Sequence, residues 1–213
     1  MENLEDQFGS CSYVFISRHR AESGVPSLTA HFTGNFGPAV FGGRPSEVSY
    51  YCPSLLKNYF LALNSLTDDV TGVFQLTLEA THHGPTSLNS PVLFVELGST
   101  EEQWRDPKAA EKVARALFHG ISDNRSYGRC ALGIGGTHYP EKFNRMLLDT
   151  DIAFGPIIPK YSLMFFNEDI LGQLLKKSME PITLAVVDAK GLGKFKETVN
   201  GILQTSGLEV LRA

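Results

Sequence analysis

The chain has 213 residues, of which 42% are hydrophobic, 10% aromatic and 20% charged, with 20 Gly and 11 Pro; these proportions exclude collagen-like and disordered classes. A chain of this length buries about 70% of its unfolded surface, so one domain is expected and any metal would serve function rather than folding. The net charge of −4 argues against broad coating of nucleic acid but leaves room for a basic patch gripping one end of an RNA.

Along the chain, Cys11 to Ser17 and Leu28 to Thr33 read as strands, and Ser54 to Leu66 as a helix behind a Ser cap. The turn-rich stretch from Gly34 to Pro53 reads as one long loop flanking a site. Gly72 to Thr81 alternates as a strand, and the apolar run Val92 to Leu97 suits a strand buried on both faces. A helix from Pro107 to about Gly120 follows, with Asp106 as its N-cap. Cys130 to Gly136, Ile182 to Asp188 and Leu208 to Leu211 read as strands; Pro140 to Leu148, Asn167 to Ser178 and Lys194 to Thr205 read as helices. This alternation predicts an α/β fold with a mainly parallel sheet, helices on both faces, and a ligand site beyond the carboxyl ends of the strands. No run reaches the roughly 18 apolar residues of a membrane helix, and the acidic N-terminus lacks the order of a targeting signal, so a cytoplasmic location is expected. Cys11, Cys52 and Cys130 form no CxxC pair, which fits reduced thiols and excludes zinc ribbons.

Four of the six histidines stand directly after a predicted strand. In extended backbone Glu79, Thr81 and His83 share one side and His82 the other. Read as chemistry, one of the two histidines is a general base or metal ligand with Glu79 orienting it; read as structure, the segment is a solvated strand end. Glu96 closes an apolar strand and therefore needs a partner, either in a site or in an internal ion pair. Gly133, Gly135 and Gly136 bare the backbone before His138, suiting an oxyanion or phosphate contact, or merely a tight turn. There is no GxGxxG, P-loop or GxSxG signature. The three thiols lie in apolar surroundings, His119 reads as structural, and Phe165 and Phe166 read as core. Lys190, Lys194 and Lys196, with Arg18, Arg20, Lys142, Arg145 and Lys160, read either as a phosphate-binding rim or as an exposed surface.

The strings FISRH (Phe15 to His19), LTAHFTGNFG (Leu28 to Gly37), EATHHGPTSLNSPVLFVELGSTEEQW (Glu79 to Trp104), GIGGTHYPEKF (Gly133 to Phe143), IIPKY (Ile157 to Tyr161) and DAKG (Asp188 to Gly191) span nearly the whole chain. Together they resemble the archaeal and plant type of D-aminoacyl-tRNA deacylase. The resemblance implies a fold like those of peptidyl-tRNA hydrolase and nucleoside phosphorylase, and hydrolysis of the ester joining a D-amino acid to the tRNA 3′ end. It also implies dependence on Zn2+, and a single deacylase-like domain over 1–213 that lacks the family's N-terminal strand and helix region. Pro156 stands where the family pattern leads one to expect His, and Ala189 where it leads one to expect Trp.

On that basis His82 or His83, with Glu79 or Glu96, is expected to handle the attacking water, directly or through zinc. His19, His83 and His138 are the expected metal ligands, and His31 is a further candidate in the ligand set. Arg18, His31, Asn35, Gly135, Gly136, Lys160 and Lys190 are the expected substrate contacts. The alternatives are a non-catalytic module binding a tRNA end or adenosine on the same scaffold, and an esterase like peptidyl-tRNA hydrolase.

Overall fold

In a computed structural model that describes residues 4–66 and 73–213, the elements run in the following order: α1 (Leu4–Phe8), β1 (Tyr13–Arg20), β2 (Ser27–His31), β3 (Gly34–Asn35), β4 (Glu47–Val48), α2 (Pro53–Leu66), β5 (Gln75–Leu78), β6 (Val92–Ser99), α3 (Glu101–Trp104), α4 (Pro107–Ser122), β7 (Cys130–Ile134), α5 (Glu141–Asp149), β8 (Ala153–Ile158), a 3-10 turn (Lys160–Phe165), α6 (Glu168–Lys176), β9 (Ile182–Val187), a second 3-10 turn (Gly193–Phe195), α7 (Lys196–Gln204) and β10 (Glu209–Arg212). The expected strand start at Gly72 lies outside the described residues.

The predicted single sheet is instead two four-stranded sheets, in the orders β1-β6-β2-β5 and β10-β9-β7-β8. The second is wholly parallel, but in the first β6 runs antiparallel to β2. Sequence periodicity carries no strand direction, which is why this pair was not foreseen. The segment following β5 joins the two sheets. Glu79 N–H donates to Ala30 O at 3.0 Å on one side, and Thr81 N–H donates to Ile157 O at 3.0 Å on the other. The Thr81 hydroxyl oxygen also accepts from Ile157 N–H, at 3.0 Å. The predicted loop from 34 to 53 contains the short antiparallel pair β3–β4, and the whole of β8, buried along its length, had not been read as a strand.

Local rules explain most of the helices. In α4 the Asp106 carboxylate accepts from the N–H groups of Lys108 and Ala109, Pro107 fills the first turn, and Ala109, Val113, Ala116, Leu117 and Gly120 make the buried stripe. Helix α2 begins at Pro53, and Ser54 is not its cap. Its N-terminus is held by Glu180, whose carboxylate accepts from both the Ser54 N–H and the Ser54 hydroxyl; a partner that distant leaves no local signal. One continuous core links the inner faces of both sheets with α2, α4, α5, α6 and α7.

Candidate active site

Register explains how the polar groups converge. Ser17 of β1 and Thr29 of β2 flank Glu96 of β6, and Thr29 also pairs with Thr77 of β5. Because side chains alternate along a strand, His19, Thr29, His31, Phe94, Glu96 and Glu79 fall on one face of the first sheet. Glu96 is thus mid-strand rather than at a strand end, and the floor of the site is a sheet face. The second sheet contributes from the ends of its strands, as expected, with His138 after β7 and Tyr161 after β8. Ala80 N–H donates to His138 O at 2.8 Å and fixes this seam.

Two groupings share the floor. In the first, the rings of His31, His82 and His83 pack together, with centroids 4.1 to 4.9 Å apart. Each ring uses Nδ1 on a backbone carbonyl: His31 on Phe32 at 3.1 Å, His82 on Ala80 at 2.8 Å, His83 on Gly84 at 2.6 Å. A carbonyl only accepts, so the proton sits on Nδ1 and each Nε2 presents a lone pair. Burial, reinforced for His31 by its imidazole neighbours, lowers the pKa of His31 well below the usual value, and burial lowers that of His82 as well. Both rings are therefore neutral at neutral pH.

In the second grouping Glu79 is buried. Burial alone would raise its pKa, but hydrogen bonds from His138 and His19 hold it well below the usual carboxylate range. Its Oε2 accepts from His138 Nε2 at 2.9 Å, leaving Nδ1 to accept from the Tyr161 hydroxyl at 2.9 Å. His19 Nδ1 lies 3.1 Å from Glu79 Oε1 and 3.4 Å from Glu96 Oε2. Burial opposes charging this ring, yet the two carboxylates raise its pKa to about 9. Its other nitrogen, Nε2, donates to the Tyr139 oxygen at 3.0 Å. Burial and the Glu79 charge push both Tyr139 and Tyr161 up to about 12, so both phenols stay protonated.

Several expectations change. His83 does not share a face with Glu79: β5 ends at Leu78, and His83 takes a positive φ of 43°, which breaks the alternation. His82 takes that place, with Nε2 3.9 Å from Glu79 Oε2. The expected metal set His19, His83 and His138 is not brought together. Among the described residues, the groups close enough to share an ion are His31, His82 and His83; Glu79, His82 and His138; and His19, Glu79 and Glu96.

The first group fits a metal best. Nε2 of His31 is buried without a partner, as is the nearby Thr29 hydroxyl, and the Nδ1 carbonyl bonds are the supports that ligating imidazoles use. Zinc accepts three such nitrogens.

Among the expected substrate contacts, His31 belongs to that triad. Arg18 points the other way and stacks over Trp104 at 5.0 Å. Asn35 is spent on its own loop, donating to Gly42 O and Arg44 O. Gly135 N–H donates to Ile158 O at 2.8 Å and is thus unavailable to an oxyanion; Gly135 and Gly136 serve a turn with φ of 96° and 82°. Exposed Lys160 and Lys190 do meet at that turn, since Lys160 N–H donates to Gly136 O and Gly191 packs against Gly136. Lys142 is paired with Asp188 and Arg145 with Glu141. Sequence reasoning missed Tyr139 and Tyr161, although both stood within the quoted strings.

These features define an α/β protein whose histidine–carboxylate centre is suited to hydrolysis. The chain belongs to the D-aminoacyl-tRNA deacylase family, whose model it matches over residues 8–211. It is 40% identical over 201 residues to the D-aminoacyl-tRNA deacylase of Cenarchaeum symbiosum, covering 94% of this chain and 77% of that one. It is 37% identical over 216 residues to that of Pyrococcus horikoshii, covering 98% and 77%. A crystal structure of a conserved protein of unknown function, AF0625, superposes with a TM-score of 0.92 at 35% identity, covering 99% of this chain and 74% of that one. No helix among the described residues is long and apolar enough to cross a membrane.

Proposed function

We propose that the protein hydrolyses the ester of D-aminoacyl-tRNA, releasing the D-amino acid and tRNA. The observation that carries this reading is the gathering of five of the six histidines with Glu79 and Glu96 on one floor, in a chain of this family. His138 is the general base. Held by ionised Glu79, its Nδ1 takes a proton from water as the water oxygen bonds to the acyl carbon. The same proton passes to the ribose oxygen as its bond to that carbon breaks. Tyr161, more than half exposed, yields its place on Nδ1 to the water. The Tyr139 oxygen accepts from charged His19, which leaves its O–H to donate to the developing oxyanion. His31, His82 and His83 would hold Zn2+, which when bound polarises water or carbonyl oxygen. Lys160 and Lys190 face the phosphates. The chain acts as one deacylase-like unit in the cytoplasm, with the layout of peptidyl-tRNA hydrolase-like folds.

Purified protein incubated with D- and L-aminoacyl-tRNA and with N-blocked peptidyl-tRNA tests the reading. Release from the D-ester alone is expected; equal rates on D- and L-esters, or none, would overturn it. Release from the N-blocked substrate alone would favour a peptidyl-tRNA hydrolase.

A further inference from the structure

The loop between β3 and β4 carries two large apolar side chains at its tip, Val40 and Phe41, 74% and 79% exposed. Such surface is costly to hydrate, yet the loop is firmly braced. Asn35 Nδ2 donates to Gly42 O at 2.9 Å and Arg44 O at 3.1 Å, Arg44 N–H donates to the Thr86 hydroxyl oxygen at 2.9 Å, and Ser46 N–H donates to Gly37 O at 2.8 Å. A methyl group on Gly84 would lie 2.4 Å from Gly43 N, so the loop rests directly on the turn that carries His83. On its other flank, a methyl on Gly37 would lie 2.7 Å from the Phe165 ring, in the turn that bears Lys160 and Tyr161. The loop therefore reaches from the imidazole triad to the Tyr161 turn and holds Phe41 out beside the site.

We propose that this loop is a stacking lip for the unpaired 3′-terminal nucleotides of tRNA, with a base lying on the Phe41 ring; the proposal rests on the deacylase reading above. Single-stranded RNA ends are recognised by aromatic faces for bases and cations for phosphates. The loop supplies the ring, and exposed Lys160 stands in the turn on its Gly37 flank; Arg44, within the loop itself, is shared with Glu47 at 3.7 Å. A chain of net charge −4 gains little from overall charge attraction, which makes a stacking contact the natural anchor. A second copy of the chain is a poor occupant, because two tip side chains fall far short of the roughly 800 Å2 per partner of a stable dimer.

The test compares Phe41→Ala, Phe41→Leu and Phe41→Trp in the full chain. Phe41→Ala and Phe41→Leu are expected to raise KM for D-aminoacyl-tRNA about tenfold, the effect of losing one stacked base, with the loss falling on KM rather than kcat. Phe41→Trp keeps the wild-type KM, and its added indole fluorescence, after subtraction of the Trp104 signal, is quenched by deacylated tRNA ending in CCA. Wild-type KM in Phe41→Leu, or a Phe41→Trp signal indifferent to this RNA, overturns the lip. So does a sedimentation change showing that Phe41→Ala merely breaks up a dimer. Quenching by RNA in a protein whose wild type releases no D-amino acid keeps the lip and removes the deacylase reading instead.

Discussion

His19 is held as a charged ring between Glu79 and Glu96, and that fixes a sign for stability against pH. Its folded pKa of about 9 exceeds the usual 6.5, so its contribution is full below about pH 6.5 and is lost as pH rises through about 9. Glu79, depressed, acts the other way: its contribution is present above its unfolded value near 4.5 and lost as pH falls through the lower folded value. Melting temperature should therefore decline from pH 6.5 to 9.5, and His19→Gln should flatten that decline while costing up to about 3 kcal/mol at pH 6.5. A wild-type profile that rises across this window would show that the ring is neutral. The imidazole triad makes a separate prediction. His31→Ala, His82→Ala and His83→Ala should each cut single-turnover deacylation about 100-fold or more and lose bound zinc by elemental analysis. His119→Ala, exposed on α4, should change rate less than about twofold and stability by less than about 0.5 kcal/mol. Equal effects at all four positions would remove the triad from the chemistry.

Between elements, two buried polar contacts hold the frame that positions the site. Lys57 of α2 donates to three carbonyls, of Leu147, Thr150 and Ile152, at 2.5 to 3.0 Å, and so ties α2 to the end of α5 and the approach to β8. Lys57→Met keeps the aliphatic stem but strands those acceptors; it should cost about 3 kcal/mol in urea unfolding. Thr81 joins the two sheets and lies between Glu79 and His82. Thr81→Val preserves shape but leaves Ile157 N–H without its hydroxyl partner. A loss of about 1 to 3 kcal/mol is expected, together with a fall in turnover larger than that produced by Lys57→Met at equal stability, because the seam displaces Glu79 and His82. If the two variants lose turnover in proportion to stability alone, the seam has no special role in positioning.

For the whole molecule, the proposed zinc would compete with protons for the triad. Treatment with a chelator should abolish deacylation, and added Zn2+ should restore it; because His31 and His82 are held below their usual pKa, zinc should be retained at pH 6. Full activity in protein shown by elemental analysis to be metal-free would leave His138 and Glu79 as sufficient machinery.

The order and type of nearly all the longer elements were legible in the sequence because they rest on local physics: period-2 and helical apolar spacing, and Asp106 before Pro107. Glu79, His82, Glu96 and His138 were legible as site candidates because polar groups beside apolar strands need partners, and the family strings carried the reaction class. Which histidine meets which carboxylate was decided only by the tertiary structure. Strand direction placed β2 antiparallel to β6, the positive φ at His83 turned that ring from Glu79 toward His31, and sheet packing brought Tyr139 and Tyr161 onto His19 and His138. Capping of α2 by Glu180 and the retreat of Arg18 onto Trp104 belong to the same class. These pairings join residues tens of positions apart or more, and alternation along one strand specifies the face of a side chain but not the strand that will lie beside it.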